Sequence, residues 1–142
     1  MPIAFFVAAS VQLVSQLFKF IIYSIRDRRV SPKYLVTTGG MPSAHSAFVC
    51  SLAAYIGLEY GTAGPWFSVS LVFAAIVMYD AFRLRGFVQK HAVALNKLQA
   101  LIPEDKREGM EAHSEMVGHS LAEIASGLVL GVAWAALAWA LI

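Results

Sequence analysis

Charge is scarce in this chain. Aspartate, glutamate, lysine and arginine make up 14% of its 142 residues, against roughly a quarter in typical soluble domains. Cysteine occurs once, as Cys50, which excludes an internal disulfide and reads as a small buried apolar residue. No spacing resembles a dedicated zinc motif, and there is no internal repeat or low-complexity tract. The net charge of +2 is too small to imply a nucleic-acid partner. No basic residue precedes the first apolar run and no small-x-small site closes it. The run therefore reads as a retained membrane helix and not as a signal peptide.

What the chain has instead is apolar length, with 58% hydrophobic residues. A spanning helix needs about 20 mostly apolar residues, and several runs qualify. The first covers roughly 2–25, with Gln12, Ser15, Gln16 and Lys19 spaced to line one helical face that looks inward. The second, about 42–58, starts at Pro42, a residue suited to the first helical position. The third, about 65–82, carries Trp66 as an interfacial anchor. A long polar connection over 83–116 holds an amphipathic helix around 86–101, and the last run covers 117–142. Within that run Gly127 and Gly131 form a GxxxG, a spacing that allows close helix approach. The expectation is all-α: a single domain over 1–142, an integral membrane bundle of four spanning helices plus one interfacial helix. So small a bundle leaves a homodimer open.

All eleven Lys and Arg residues fall between Lys19 and Lys33 or between Arg83 and Arg107, and the second loop and last run have none. In a four-helix chain those two basic regions share a side. The positive-inside rule makes that side cytoplasmic, in a multi-pass protein of the inner membrane. The unusual polar residues gather there too. Lys19 lies toward the end of helix 1 and Ser43, His45 and Ser46 open helix 2, while Asp80, Arg83 and Arg85 close helix 3 and His119 with Glu123 open helix 4. Ionisable groups at membrane depth are costly and mark function.

The stretch GGMPSAHS at 39–46 suits phosphate. Helix-start N–H groups attract anions, so Gly39, Gly40, Ser43 and Ala44 can cradle phosphate oxygens. Lys19 and Arg85 can neutralise a transferring phosphoryl group. Two histidines can divide the work of nucleophile and general acid. Glu123, four residues after His119, shares its helical face and can fix the ring's tautomer. Ser120-x-x-Glu123 is also a capping box, a role compatible with holding His119. Asp80 can pair with Arg83 or Arg85, and Ser46 supports the helix start. Lys19 has snorkelling to the headgroups as its structural alternative.

PSAH at 42–45 resembles the PSGH motif of the type-2 phosphatidic acid phosphatase superfamily, which includes the vanadium haloperoxidases. His119-x3-Glu123 resembles that superfamily's histidine-x3-aspartate. GGMPSAHS, then MYDA with a nearby arginine, then VGHSLAEIASG is similar to its small divergent membrane branch, over about residues 12–131. The resemblance implies that His119 forms a phosphohistidine and that His45 protonates the leaving oxygen. It also implies a phosphorylated-lipid substrate, such as phosphatidylglycerol phosphate or phosphatidic acid, and no required metal or other cofactor. Ala44 replaces the motif glycine and Glu123 the aspartate. The superfamily arginine six before the nucleophile falls on His113, so Arg85 is its substitute. Lys19-x6-Arg26 matches the first basic motif in spacing, with Asp27 where proline is expected.

Three competing readings differ in class. One is a metal-dependent hydrolase using His45, His119, Glu123 and Asp80. Another is a non-catalytic assembly or transport subunit packed through GxxxG. The third, a vanadate-dependent haloperoxidase, sits poorly with a membrane location.

Overall fold

The computed structural model describes residues 2–36, 40–107, 109–115 and 117–142, apart from the side chains of Lys33 and Val36. Among the described residues every regular element is helical: α1 (Ile3–Arg26), α2 (Ala44–Tyr60), α3 (Pro65–Tyr79), α4 (Arg85–Ala100) and α5 (Leu121–Leu141), with short 3-10 turns at Pro32–Val36 and Glu104–Lys106. Three helical stretches are long and apolar enough to cross a membrane, Ile3–Arg26, Pro65–Ala100 and Leu121–Leu141. At about 1.5 Å per residue α2 is roughly 26 Å long, at the short end of a membrane span. The chain is an all-helical membrane bundle.

α2 sits at the centre, packed by α1, α3 and α5. Its buried residues, among them Ala44, Ser46, Ala47, Cys50, Ser51 and Ala53, are small and recur around the helix. That is how a helix enclosed on several sides reads. The close approach of α5 depends on Gly127 and Gly131. A Cβ at Gly127 would overlap the Ser43 carbonyl oxygen and lie 2.9 Å from Ser46 Cβ. A Cβ at Gly131 would overlap the Ala47 carbonyl oxygen and lie 3.0 Å from the Ser51 nitrogen. The GxxxG is therefore used within the chain, to seat α5 on α2. α1 contributes a stripe of Val7, Ala8, Val11, Ser15, Lys19 and Tyr23 to the interior. Val69, Val72, Phe73 and Ile76 of α3, with Leu13, Leu17 and Ile25 of α1, are exposed, as lipid-facing residues must be.

Helix starts differ from the sequence expectation in two places. Ser43 is extended (φ −69°, ψ 111°) and its oxygen accepts from the Ser46 N–H, so α2 begins at Ala44 and Pro42 lies outside the cap. A serine oxygen satisfies a first-turn donor, which proline cannot do. Pro65 takes the first-position role instead, opening α3 behind Gly64. The amphipathic helix is not separated from the third span. α3 and α4 form one helical run, Pro65–Ala100, joined by a π-turn at Asp80–Leu84. Polarity changes at Arg83, but no proline interrupts the backbone there, and the wider turn absorbs the change. The run is about 54 Å long against a hydrocarbon core of about 30 Å, so α4 lies beyond the hydrocarbon.

Candidate active site

The site is assembled where α2 and α5 begin and the α3–α4 run makes its π-turn. Ser120 (φ −74°, ψ 161°) caps α5 with a complete capping box, its oxygen accepting from the Glu123 N–H. In return Glu123 Oε2 accepts from the Ser120 N–H at 2.9 Å. The same Oε2 stands 3.1 Å from His119 Nδ1. His119 therefore meets Glu123 from the residue before the cap, not from the helix face that the spacing of four suggested. The extended Ser120 backbone is what turns the ring back onto the carboxylate. A carboxylate on Nδ1 favours the proton there and leaves the Nε2 lone pair free.

His119 is 5% exposed, and its Nε2 is buried without a hydrogen-bond partner among the described residues. The His45 ring lies 6.2 Å away, centroid to centroid, inclined by 60°. His45 Nδ1 is likewise buried and unpartnered among the described residues. Burial pushes the His119 imidazole below the usual histidine range, and the hydrogen bond it donates to Glu123 opposes that shift. The net direction favours a neutral ring at neutral pH.

The start of α2 holds this pair from the other side. Ser43 and Ser46 are fully buried, and the Ser46 hydroxyl lies 3.1 Å from Ser43 Oγ. The Ser43 backbone N–H donates to the Glu123 carbonyl at 3.0 Å, tying the two helix starts together. That donor is thus engaged, and the first-turn N–H groups of Ala44 and His45 remain without an acceptor inside the helix. Gly40, at φ +88°, is required by Tyr23: a Cβ there would overlap the Tyr23 hydroxyl. Gly39 lies outside the described residues.

Cations complete the set. Lys19 is only 1% exposed, enclosed by protein and not snorkelling, and the Glu123 charge reaches it. Charges of Arg85 and Lys19 bear on both imidazoles. Arg85 Nε pairs with Asp80 Oδ2 at 3.0 Å. The π-turn explains that choice over Arg83, because its backbone bond joins the Arg85 N–H to the Asp80 carbonyl and brings the two side chains to one face. Arg83 instead lies over the Phe87 ring. Arg26, matched by spacing to the superfamily's first motif, is on the surface, held by Asp27 at 2.8 Å. Asp27 also accepts from the Tyr34 hydroxyl at 2.9 Å. His113 is exposed, with its backbone clipped to Asn96 at 2.9 Å. Among the described residues no group of three His, Cys, Asp or Glu side chains is arranged to hold a metal.

Sequence reasoning missed the supports. The His119 N–H donates to the Ala81 carbonyl at 3.2 Å, so the π-turn itself carries the histidine's backbone. Gly118 donates to Gln89 Oε1 at 3.1 Å, and a Cβ on it would come within 3.0 Å of the Gly86 Cα. A cavity of about 590 Å³ opens between these elements, with Arg83, Gly86 and Lys90 on one wall and Gly118, His119 and Glu123 on the other. Only the glycines gave a signal in the sequence, since a backbone carbonyl leaves none.

An uncharacterized membrane protein of Bacillus subtilis (strain 168), YuiD, is 32% identical over 131 residues, which cover 84% of this chain and 83% of that protein. No solved structure matches. A family model described as the divergent PAP2 family matches residues 3–134. That match covers most of the chain, and the chain belongs to the divergent PAP2 family.

Proposed function

We propose that this protein is a membrane phosphatase that hydrolyses a lipid phosphate monoester through His119, at the cytoplasmic face of the inner membrane and without a required metal. The observation that carries the reading is the pair of buried, unpartnered imidazole nitrogens on rings 6.2 Å apart. An unpaired buried polar atom costs about 1–3 kcal/mol, and beside Lys19 and Arg85 the two suit a phosphate group, whose phosphorus meets the His119 Nε2 lone pair and whose oxygen takes a hydrogen bond from protonated His45. Family membership supports phosphate chemistry, and the basic loops support the cytoplasmic orientation.

In the first step His119 Nε2 attacks phosphorus, forming the N–P bond as the P–O bond to the lipid breaks. The departing oxygen keeps that electron pair and takes a proton from His45. Glu123 stabilises the positive charge that grows on the His119 ring. Lys19, Arg85 and the free N–H groups of Ala44 and His45 hold the equatorial oxygens. In the second step His45, now neutral, accepts a proton from water as the water oxygen attacks phosphorus. The N–P bond breaks, its electrons return to Nε2, and inorganic phosphate leaves. The lipid tail lies between helices at the membrane level. Phosphatidic acid, phosphatidylglycerol phosphate and isoprenoid phosphates all meet these requirements.

The test is phosphate release by purified protein across such lipids. Turnover should vanish in His119→Ala and be blocked by vanadate, which mimics the five-coordinate state and should bind about 10²-fold or more tighter than substrate. Undiminished turnover in His119→Ala refutes the reading.

A further inference from the structure

The 590 Å³ cavity beside His119 has a wall that the chemistry above does not use. Phe87 and Lys90 share one face of α4, and Arg83, in the π-turn before it, lines the same cavity. Arg83 Cζ lies 5.6 Å and Lys90 Nζ 5.7 Å from the centre of the same Phe87 ring. One aromatic ring thus has two like charges beside it, and both line the cavity. Their natural counter-charges are committed elsewhere: Asp80 pairs with Arg85, and Glu123, the acid in the lining among the described residues, is engaged by His119 and Ser120. His45, Ser43 and Lys19 lie outside the lining. The reacting phosphate belongs with them on the Nε2 side, so whatever enters this cavity is another part of the ligand.

Resting on the phosphatase reading, the geometry points to Arg83 and Lys90 as a second anion subsite that selects lipids bearing a phosphate-class anion in addition to the phosphomonoester being cleaved. An oxyanion entering the cavity meets a charge-assisted donor in each of the two cations that line it. Among lipid phosphates this favours a terminal phosphomonoester joined through a short polyol to a phosphodiester, over a phosphate attached directly to diacylglycerol.

The experiment compares two lipids with matched acyl chains, phosphatidylglycerol phosphate and phosphatidic acid, presented in neutral detergent micelles. The wild type should favour the former by about tenfold or more in kcat/KM, the scale of a charge-assisted contact, expressed mainly in KM. Arg83→Gln with Lys90→Gln should bring the ratio near one. The charge-preserving pair Arg83→Lys with Lys90→Arg should keep it, as should Lys97→Gln, whose residue lies outside the cavity. A wild-type ratio near one, or a ratio unmoved in the double variant, overturns the proposal. A second arm adds the anionic bulk lipid phosphatidylglycerol or inorganic phosphate. If the effect of the double variant follows either of these and not the charge of the substrate, the subsite does not read substrate and the proposal falls. Titration of both lipids into His119→Ala protein separates the two hypotheses. If the wild type turns over neither lipid, the phosphatase reading fails. The subsite is then still supported by about tenfold tighter binding of phosphatidylglycerol phosphate that the Gln pair removes, and refuted by equal binding.

Discussion

Replacing Glu123 by glutamine removes one charge from an oxygen with two duties. Oε2 accepts from Ser120 at 2.9 Å and holds His119 Nδ1 at 3.1 Å. A glutamine oxygen can still accept from the Ser120 N–H, so the helix start survives. The loss there is the difference between a charged and a neutral hydrogen bond, about 1 kcal/mol. The effect on chemistry is larger. A neutral amide no longer stabilises the imidazolium that forms with the N–P bond. If its NH2 faces the ring, the proton moves to Nε2 and blocks attack. In the comparable serine-protease pair, replacing the orienting carboxylate by an amide costs about 10⁴-fold in kcat, so about 10²–10⁴-fold is expected here. Ser120→Ala should give the reverse pattern. It removes the cap on the Glu123 N–H, costing about 1 kcal/mol of stability, but leaves the carboxylate on His119 and most of the turnover. The assay pairs phosphate release with thermal unfolding in detergent. Its pH dependence adds a signed check. His119 must be neutral to attack, so the rate falls as pH drops through its pKa. Glu123 holds that pKa up against burial, so Glu123→Gln should move the acid limb to lower pH. Wild-type turnover in Glu123→Gln, or equal losses of activity and stability in the two variants, would refute the argument.

His45→Ala should lose about 10²–10⁴-fold on a lipid alkoxide leaving group but far less on a nitrophenyl phosphate, whose anion departs unprotonated. Equal losses would assign His45 to binding. Gly127→Val should destabilise the protein by about 1–3 kcal/mol, because its side chain meets the Ser43 carbonyl, and an unchanged Tm in detergent would contradict that packing. A cysteine introduced at Asp105, in the exposed turn after α4, should react with an impermeant reagent only from the cytoplasmic side. Labelling from outside intact cells would invert the proposed orientation.

Much of this arrangement is readable from residues alone, and the parts that are not share a cause. The helices of the bundle show as apolar runs because lipid demands length and low charge together. Ser120-x-x-Glu123 announces its capping box, and the histidine before it belongs to a motif with a fixed spacing. The boundary after α3 misleads because polarity marks where lipid ends and not where a helix ends. Arg83 and Lys90 read as ordinary basic residues near a membrane surface, since only the fold shows Phe87 between them and His119 across a cavity. The inward stripe of α1 is legible to Lys19, but that residue's full burial follows from how closely its neighbours pack, which periodicity does not express. Gly127 and Gly131 announce close packing without naming the partner, and α2 supplies it. The bond from His119 to Ala81 joins two backbones with no side-chain signature at all.

The π-turn at Asp80–Leu84 makes the site depend on the number of residues as well as their kind. Each residue along an α-helix advances the chain by about 100°, and the wider turn behaves like a one-residue insertion that shifts everything after it. Deleting a single residue there, Phe82 for instance, would restore an ordinary helix without touching any group assigned to the chemistry. Yet Gly86 and Lys90 would swing off the cavity wall, and the carbonyl that supports His119 would fold back into the helix. Point substitutions would leave this phase intact, whereas one lost codon would erase it.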